Sequence, residues 1–378
     1  MSRSSATVDL DAIAGNVGVL RARAGAAGVM AVVKADGYGH GLLPSAAGAL
    51  AGGAAWLGVA FLEEALALRA AGIGAPVLAW LTTPGEDLVP AVRAGVDLGV
   101  YDGSELDRAA LAGAVAGTAA RVQLKVDTGL SRGGATACDW PDLCRQAARA
   151  EAAGTVRVTG VWSHFAHADA GPDHPVTVRQ VAAFDDALGV ADRAGLRPDV
   201  RHLANSAATL TAPAAHYDLV RPGLAVYGLS PVPQLGGPAA FGLRPAMTLR
   251  SHVALVKQVP AGAGVSYGHR YTTDRATRLA LVPLGYADGV PRSGTNVLEV
   301  LLGGRRRQVA GTVCMDQFVL DVGDDEVAAG DQVVLFGPGD DGEPTAQEWA
   351  RALGTIDYEI VTRIGARVPR VYVGAGAP

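Results

Sequence analysis

The chain has 378 residues, 49% hydrophobic and 18% charged, with a formal net charge of −5. This composition excludes a mainly disordered or low-complexity chain, and the length suits two domains. The only basic run, Arg305-Arg306-Arg307, reads as a solvated hairpin or loop, so no nucleic-acid footprint is expected. The opening Met1-Ser2-Arg3-Ser4-Ser5 lacks an apolar leader core, and no stretch of 18 apolar residues follows. The expectation is a cytoplasmic protein with no membrane partner. Cys138, Cys144 and Cys314 are odd in number and form no C-x-x-C pair, which suggests neither a disulfide framework nor a metal site.

In chain order, short apolar runs alternate with Ala-rich helical stretches. Val29–Val33 reads as a strand and Leu42–Leu50 as a helix. Trp56–Ala60 reads as a strand and Leu62–Ala71 as a helix. Pro76–Ala79, Asp97–Val100, Val122–Val126, Val156–Trp162, His202–Ala204 and Leu219–Arg221 complete a count of eight strands, each expected to be followed by a helix of 10–20 residues. Strands alternating with helices imply a parallel sheet with crossover helices, and eight units in about 240 residues point to a (β/α)8 barrel. Residues 229–243, rich in Pro and Gly, read as a linker. Beyond them only 16 of 71 Ala remain, and Met247–Val259, Arg278–Leu284, Val297–Leu302, Gln308–Val313, Phe318–Val322 and Gln332–Leu335 read as strands, with a late helix near Ala346–Leu353. The expected division is a barrel over 1–243 and a mainly β domain over 244–378.

Of 32 basic residues only Lys34, Lys125 and Lys257 are lysines. Arg replaces Lys as surface charge but forms no Schiff base or carbamate, so lysines kept in an Arg-rich chain are candidates for amine chemistry. Lys34 directly follows an apolar strand in VVKADGYGHG, which puts its amine at the C-terminal mouth of the barrel, where barrel active sites sit. The glycines Gly37–Gly41 allow close backbone approach to a ligand.

At AVVKADGYGHG the sequence resembles the alanine racemases. The resemblance continues through KVDTGLSR at 125–132, SHFAHAD at 163–169, NSAATL at 205–210, RPGLAVYGLSP at 221–231, VSYGHRY at 265–271, PLGYADG at 283–289, GTVCMDQ at 311–317 and TIDYEI at 355–360. It covers nearly the whole chain and implies pyridoxal 5'-phosphate (PLP) as cofactor and interconversion of L- and D-alanine, which in bacteria feeds peptidoglycan. It also implies a homodimer with shared active sites. Rival readings are a serine-preferring or broad-specificity racemase, a PLP amino-acid decarboxylase of the same fold, and a PLP-binding non-enzyme. Arg221, where the decarboxylases carry an acidic residue, argues against the second. The full β domain argues against the third.

By this resemblance Lys34 carries the cofactor and serves as one catalytic base, with Tyr267 of the β domain as the second, acting in the partner's site. Removing a proton from one face of Cα and returning one to the other calls for two bases. Arg221 is expected to face the pyridine nitrogen, and a donor-only, permanently charged guanidinium there leaves that nitrogen largely unprotonated. Phosphate binding falls to Tyr38, Asn205, Ser206, Gly223, Leu224 and Tyr358, and His164 flanks the ring. Arg132 and the backbone of Met315 are expected to take the substrate carboxylate. Lys125 matches a lysine often found carbamylated, and His202 is expected to support Arg221. Tyr286 narrows the substrate entry, while Asp316 serves the site or a turn. Gly133-Gly134, where the family usually has an aliphatic residue after the arginine, is expected to add local freedom.

Overall fold

The computed structural model describes residues 3–375. They cluster into two units, one of Ile13–Gly37 and Ser45–Leu243, the other of the residues up to Ala12, Tyr38–Pro44 and those from Arg244 onward.

The first unit is the parallel eight-stranded barrel. Its strands are Gly28–Val32, Trp56–Val59, Val77–Ala79, Asp97–Val100, Ala120–Lys125, Val156–Trp162, Val200–His202 and Leu219–Val220, the first seven each paired with the next in sequence. The first strand also pairs with the last, Gly28 opposite Leu219 and Val29 opposite Val220. The seventh and eighth strands are tied by Asp218 N–H to Arg201 O at 3.1 Å and Arg221 N–H to Ala204 O at 2.8 Å. The strands are buried almost throughout, as expected where helices cover a parallel sheet. Met30, Leu78 and Leu219 form a buried cluster against Trp56, Trp80 and Val200. Glycines make room for the large Trp80: a Cβ at Gly58 would lie 2.7 Å from its ring.

The helices are less uniform than the sequence predicts. The third strand is followed by the short helix Val89–Arg93, the seventh by Ser206–Thr211 and a 3-10 turn, Pro213–Ala215, and the eighth by 3-10 turns alone, Leu224–Tyr227 and Pro238–Phe241. The expected linker holds in part: Leu229 and Val232 are buried in the barrel unit, whereas most of 233–242 is exposed and the units divide after Leu243.

The second unit is mainly β. A six-stranded sheet runs Arg305–Gln308, Glu299–Leu302, Gln332–Phe336, Met247–His252, Ser4–Asp9, Arg370–Val373. Leu255–Val259, Thr277–Val282 and Phe318–Gly323 form a second sheet, and Gly264–Val265 pairs with Tyr271–Thr272. The expected run Met247–Val259 is therefore two strands in different sheets. The tract Gln308–Val313 is not a strand; the strand falls on Arg305–Gln308, the second arm of a hairpin with Glu299–Leu302. Helix Ala346–Leu353 stands where the sequence puts it, with Thr345 accepting from Glu348 N–H in a capping box.

The N-terminal strand departs from the expected boundary. Ser4–Asp9 alternates buried and half-buried residues and lies antiparallel to Met247–His252, Ser4 opposite Ser251. Its period-2 pattern fits a half-buried sheet, so the chain enters the β unit first and makes the barrel second.

Candidate active site

Lys34 stands at the end of the first barrel strand, half-buried, its amine 5.8 Å from the Trp80 ring centroid. Burial and the charge of Arg132 lower its pKa, against an opposing pull from Glu64. The backbone then turns left-handed: Ala35, Asp36 and Gly37 have φ of 53°, 53° and 61°. Such a turn costs an L-residue roughly 1–2 kcal/mol. It is held by Gly37 N–H to Val33 O at 2.9 Å and by Glu64, whose Oε1 accepts from Ala35 N–H at 2.6 Å. Glu64 Oε2 accepts from Ala60 N–H at 2.9 Å. Sequence reasoning missed Glu64; its only signal is its position in the first turn of helix Leu62–Ala70.

Around this mouth the barrel gathers cations. Lys125 ends the fifth strand, its Nζ 4.7 Å from the ring centroids of both Tyr101 and Trp162. Burial, then Arg221 and Arg132, lower its pKa to about 8. Arg132 follows on an exposed loop that Asp127 braces: Asp127 Oδ1 accepts from Gly129, Leu130 and Ser131 N–H at 2.9, 3.0 and 3.1 Å. Gly133-Gly134 corrects the expectation of added freedom. Gly134 has φ +116° and a Cβ there would lie 3.0 Å from Asp127 N, while one on Gly133 would lie 3.2 Å from the Tyr101 ring. The backbone conformation calls for glycine at Gly134, whereas a side chain at Gly133 would need the Tyr101 ring to give by a few tenths of an ångström.

Arg221 lies buried just past the eighth strand. Its Nη1 donates to His202 Nδ1 at 2.9 Å, and its Nη2 donates to Ser163 O at 2.7 Å, His164 Nδ1 at 3.2 Å and Leu203 O at 3.3 Å. Burial lowers it to about 9, still a cation at neutral pH. Trp162 stacks on His202 with 4° between planes and lies 5.1 Å from the Arg221 guanidinium carbon. His164 is held neutral by burial and by the charges of Arg221, Arg132, Lys125 and Lys34. The barrel's ion pairs among the described residues lie elsewhere, at Arg121–Asp97, Arg145–Asp142, Arg157–Asp199, Arg197–Asp192 and Arg201–Asp218. Among the described residues none of these four cations has a carboxylate within ion-pair distance.

Past the seventh and eighth strands a second polar group converges. Ser206 Oγ accepts from Gly223 N–H at 2.8 Å, leaving its own proton to donate. Leu224 is 1% exposed, and its N–H finds no acceptor among the described residues. Asn205 caps helix Ser206–Thr211 through Ala208 N–H at 3.1 Å; that contact is a cap, and no ligand contact of its side chain is defined by it.

In the β unit, Tyr38 and Tyr358 face each other with ring centroids 6.0 Å apart. Burial raises the Tyr38 phenol, which therefore stays a donor. Tyr267 is 75% exposed on a 3-10 turn after Ser266, whose φ is +63°. Thr312 Oγ1 donates to Tyr267 O at 2.7 Å. Met315 and Tyr286 are also exposed, and Gly285 lets their segments meet: a Cβ there would lie 2.3 Å from Met315 O. Asp316 pairs with Arg367 at 2.7 Å.

A parallel barrel with a lysine and three further unpaired cations at its mouth, followed by a mainly β unit, is the architecture of a two-domain barrel protein. The family sequence models for the alanine racemase N-terminal and C-terminal domains match residues 8–231 and 246–372. The chain belongs to the alanine racemase family, and it is an isomerase of that family. It is 67% identical to the alanine racemase of Frankia casuarinae over 98% of this chain and 96% of that protein, and 64% identical to that of Salinispora tropica over 99% of both. Among solved structures it is similar to the alanine racemase of the D-cycloserine producer Streptomyces lavendulae, 55% identical with a TM-score of 0.98 over 99% of this chain and 98% of that one. The alanine racemase of Streptomyces coelicolor A3(2) gives 56% and 0.97 over the same shares. No helix among the described residues is long and apolar enough to cross a membrane.

Proposed function

We propose that the chain interconverts L- and D-alanine with PLP held on Lys34, by a two-base mechanism in which Lys34 and Tyr267 each move one proton at Cα. The carrying observation is the set of four cations, Lys34, Lys125, Arg132 and Arg221, that act together on His164 with no paired carboxylate among the described residues. Such a mouth suits a ligand bearing a phosphate and a substrate bearing a carboxylate.

The residues fit the cofactor. The Ser206 hydroxyl and the Leu224 N–H would donate to a phosphate, with the Gly223 N–H fixing Ser206 Oγ; Tyr38 and Tyr358 would add phenolic donors, and Asn205 would hold its helix in place. When bound, PLP supplies an electron sink that makes the Cα proton of an attached amino acid acidic. Arg221 would hold the ring nitrogen as an acceptor, since guanidinium only donates, and His164 would flank the ring as a neutral imidazole. Lys34, with its pKa lowered, has more free amine to take a proton. Arg132 and the Met315 N–H would take the substrate carboxylate, and Tyr286 would limit side-chain size.

Tyr267 would deliver or remove the proton on the other face. Its exposure, like that of Met315 and Tyr286, fits a site completed by a second copy of the chain, and we propose a homodimer. The product would serve peptidoglycan synthesis in the cytoplasm. The test is incubation of the PLP-loaded protein with L-alanine in D2O. Decay of circular dichroism to zero with deuterium at Cα, and no loss of carboxylate or amine, is expected. Unchanged alanine beside a clear cofactor absorption band would overturn alanine as the substrate.

A further inference from the structure

Arg221 is a buried cation without a carboxylate partner among the described residues, a costly arrangement unless its field is compensated. A chain of hydrogen bonds leads from it to a buried anion, Asp97. Because Arg221 only donates, His202 Nδ1 must accept, so Nε2 carries the imidazole proton. That Nε2 lies 2.7 Å from Gln123 Oε1. Gln123 Nε2 in turn donates to Asp97 Oδ2 at 2.9 Å. Asp97 is wholly buried, ion-paired to Arg121 at 2.5 Å and accepting from Thr159 Oγ1 on the oxygen that Gln123 uses. The chain crosses the barrel interior from the start of the fourth strand, through the fifth, to the ends of the seventh and eighth. The fold makes space for it: a Cβ at Gly160 would lie 2.8 Å from the Gln123 amide carbon.

We propose that Asp97 and Gln123 are positioning residues for Arg221, acting through His202. Every hydrogen bond in the chain points the same way, so the Asp97 charge polarises the Gln123 amide, which polarises the imidazole and makes Nδ1 a stronger acceptor for the guanidinium. The anion is thereby felt at Arg221 without being placed beside the cofactor ring, where a carboxylate would favour a protonated nitrogen. The functional consequence rests on the reading of Arg221 as the partner of that nitrogen.

The test uses PLP-loaded protein labelled with 15N-histidine, with His202 assigned by its loss in His202→Asn. Gln123→Met cuts the chain in the middle, and Asp97→Asn removes its charge. The expected result is a His202 Nε2 resonance displaced by several ppm in Gln123→Met and displaced in the same direction, by less, in Asp97→Asn. The double variant should match Gln123→Met alone, because the Asp97 effect passes through Gln123. Both single variants should lose about tenfold in kcat in both directions, with KM for alanine within twofold. If Asp97→Asn does not fold, Thr159→Val, which removes one donor from the same carboxylate oxygen, should move His202 only when Gln123 is present. A His202 signal indifferent to Asp97 and Thr159, or additive effects in the double variant, would overturn the relay and leave the reading of Arg221 standing. Coupled His202 shifts with unchanged kcat and unchanged cofactor absorption would overturn the reading of Arg221 instead.

Discussion

Glu64 reaches across from helix Leu62–Ala70 to accept the backbone N–H of Ala35 at 2.6 Å, one residue past the lysine proposed to carry the cofactor. The same carboxylate accepts from Ala60 and Phe61 N–H at the entry to its own helix, at 2.9 and 3.2 Å. It therefore pins a left-handed turn of Ala35 and Asp36, residues that do not favour that conformation. It also supports the charge on Lys34, against burial and Arg132.

Two consequences separate these roles. Glu64→Ala should lower stability by about 1–3 kcal/mol, since the Ala35, Ala60 and Phe61 N–H groups all lose an acceptor. Glu64→Gln keeps one of the two accepting oxygens, so it should cost less stability than Glu64→Ala; it also removes the charge, and so should carry the Lys34 pKa further down. The limb of the pH–rate profile that belongs to the Lys34 amine should then move to lower pH. Thermal melts and kcat/KM profiles check both, and an unmoved limb with an unmoved melting temperature would leave Glu64 no part in the site.

Tyr267 invites the converse kind of test, because a residue 75% exposed has little stability to lose. Tyr267→Phe removes only the hydroxyl, so the melting temperature should hold within a degree or two. Proton transfer should fall by 10²-fold or more when it begins from one enantiomer and much less from the other, given the usual contribution of a positioned acid or base. Solvent-deuterium exchange started separately from L- and D-alanine measures this. Equal, mild losses in both directions would remove Tyr267 from the base role.

The barrel was legible in the sequence because its signal is local: apolar runs of a few residues separated by Ala-rich helices. Elements whose reason is distant were not. Ser4–Asp9 is small and mostly polar, and is a strand because Met247–His252 and Arg370–Val373 pair with it on its two sides. The hairpin strand Arg305–Gln308 carries three arginines that no propensity assigns to a sheet; its register with Glu299–Leu302 and the ion pairs of Arg305 and Arg307 with Asp325 account for it. Lysine scarcity and strand-end position pointed to Lys34, and the family motifs to the residues around it. The left-handed turn after Lys34 was invisible, since Ala and Asp seldom adopt it. The Asp97–Gln123–His202 chain was invisible as well, because it depends on the strand register, which staggers three side chains of different strands along the barrel so that each reaches the next.

Lys125 gives a prediction about carbon dioxide. An amine with pKa about 8 is roughly a tenth neutral at pH 7, far more than an ordinary lysine. The neutral amine attacks CO2, forming an N–C bond and releasing one proton, and the carbamate anion replaces a cation that faces Arg221 and Arg132. Incubation with 13C-bicarbonate should give a carbamate carbon resonance that is absent from Lys125→Ala. Arg132-dependent binding of alanine should weaken in CO2-depleted buffer, seen as a raised KM, and recover when bicarbonate is returned. A spectrum unchanged by Lys125→Ala would place the carbamate elsewhere or exclude it.

Asp357 bears on stability and pH. It is 7% exposed at the start of helix Asp357–Thr362, and burial raises its carboxyl from 3.8 to about 6, against opposing hydrogen bonds from the backbone N–H of Tyr358 and its own. A carboxyl that holds its proton more tightly in the folded chain stabilises the fold while protonated. That contribution is complete below pH 4 and is lost as pH rises through about 6. At 1.36 kcal/mol per pH unit the loss is at most about 3 kcal/mol. Asp357→Asn keeps the shape of the protonated form and carries no charge to desolvate. Its melting temperature should therefore match the parent near pH 4 and exceed it by a few degrees at pH 8, a difference that opens between pH 4 and 6. Melts of both proteins across that range, at constant ionic strength, decide the point. Parallel curves would mean that the Asp357 carboxylate is as well accommodated in the fold as in water.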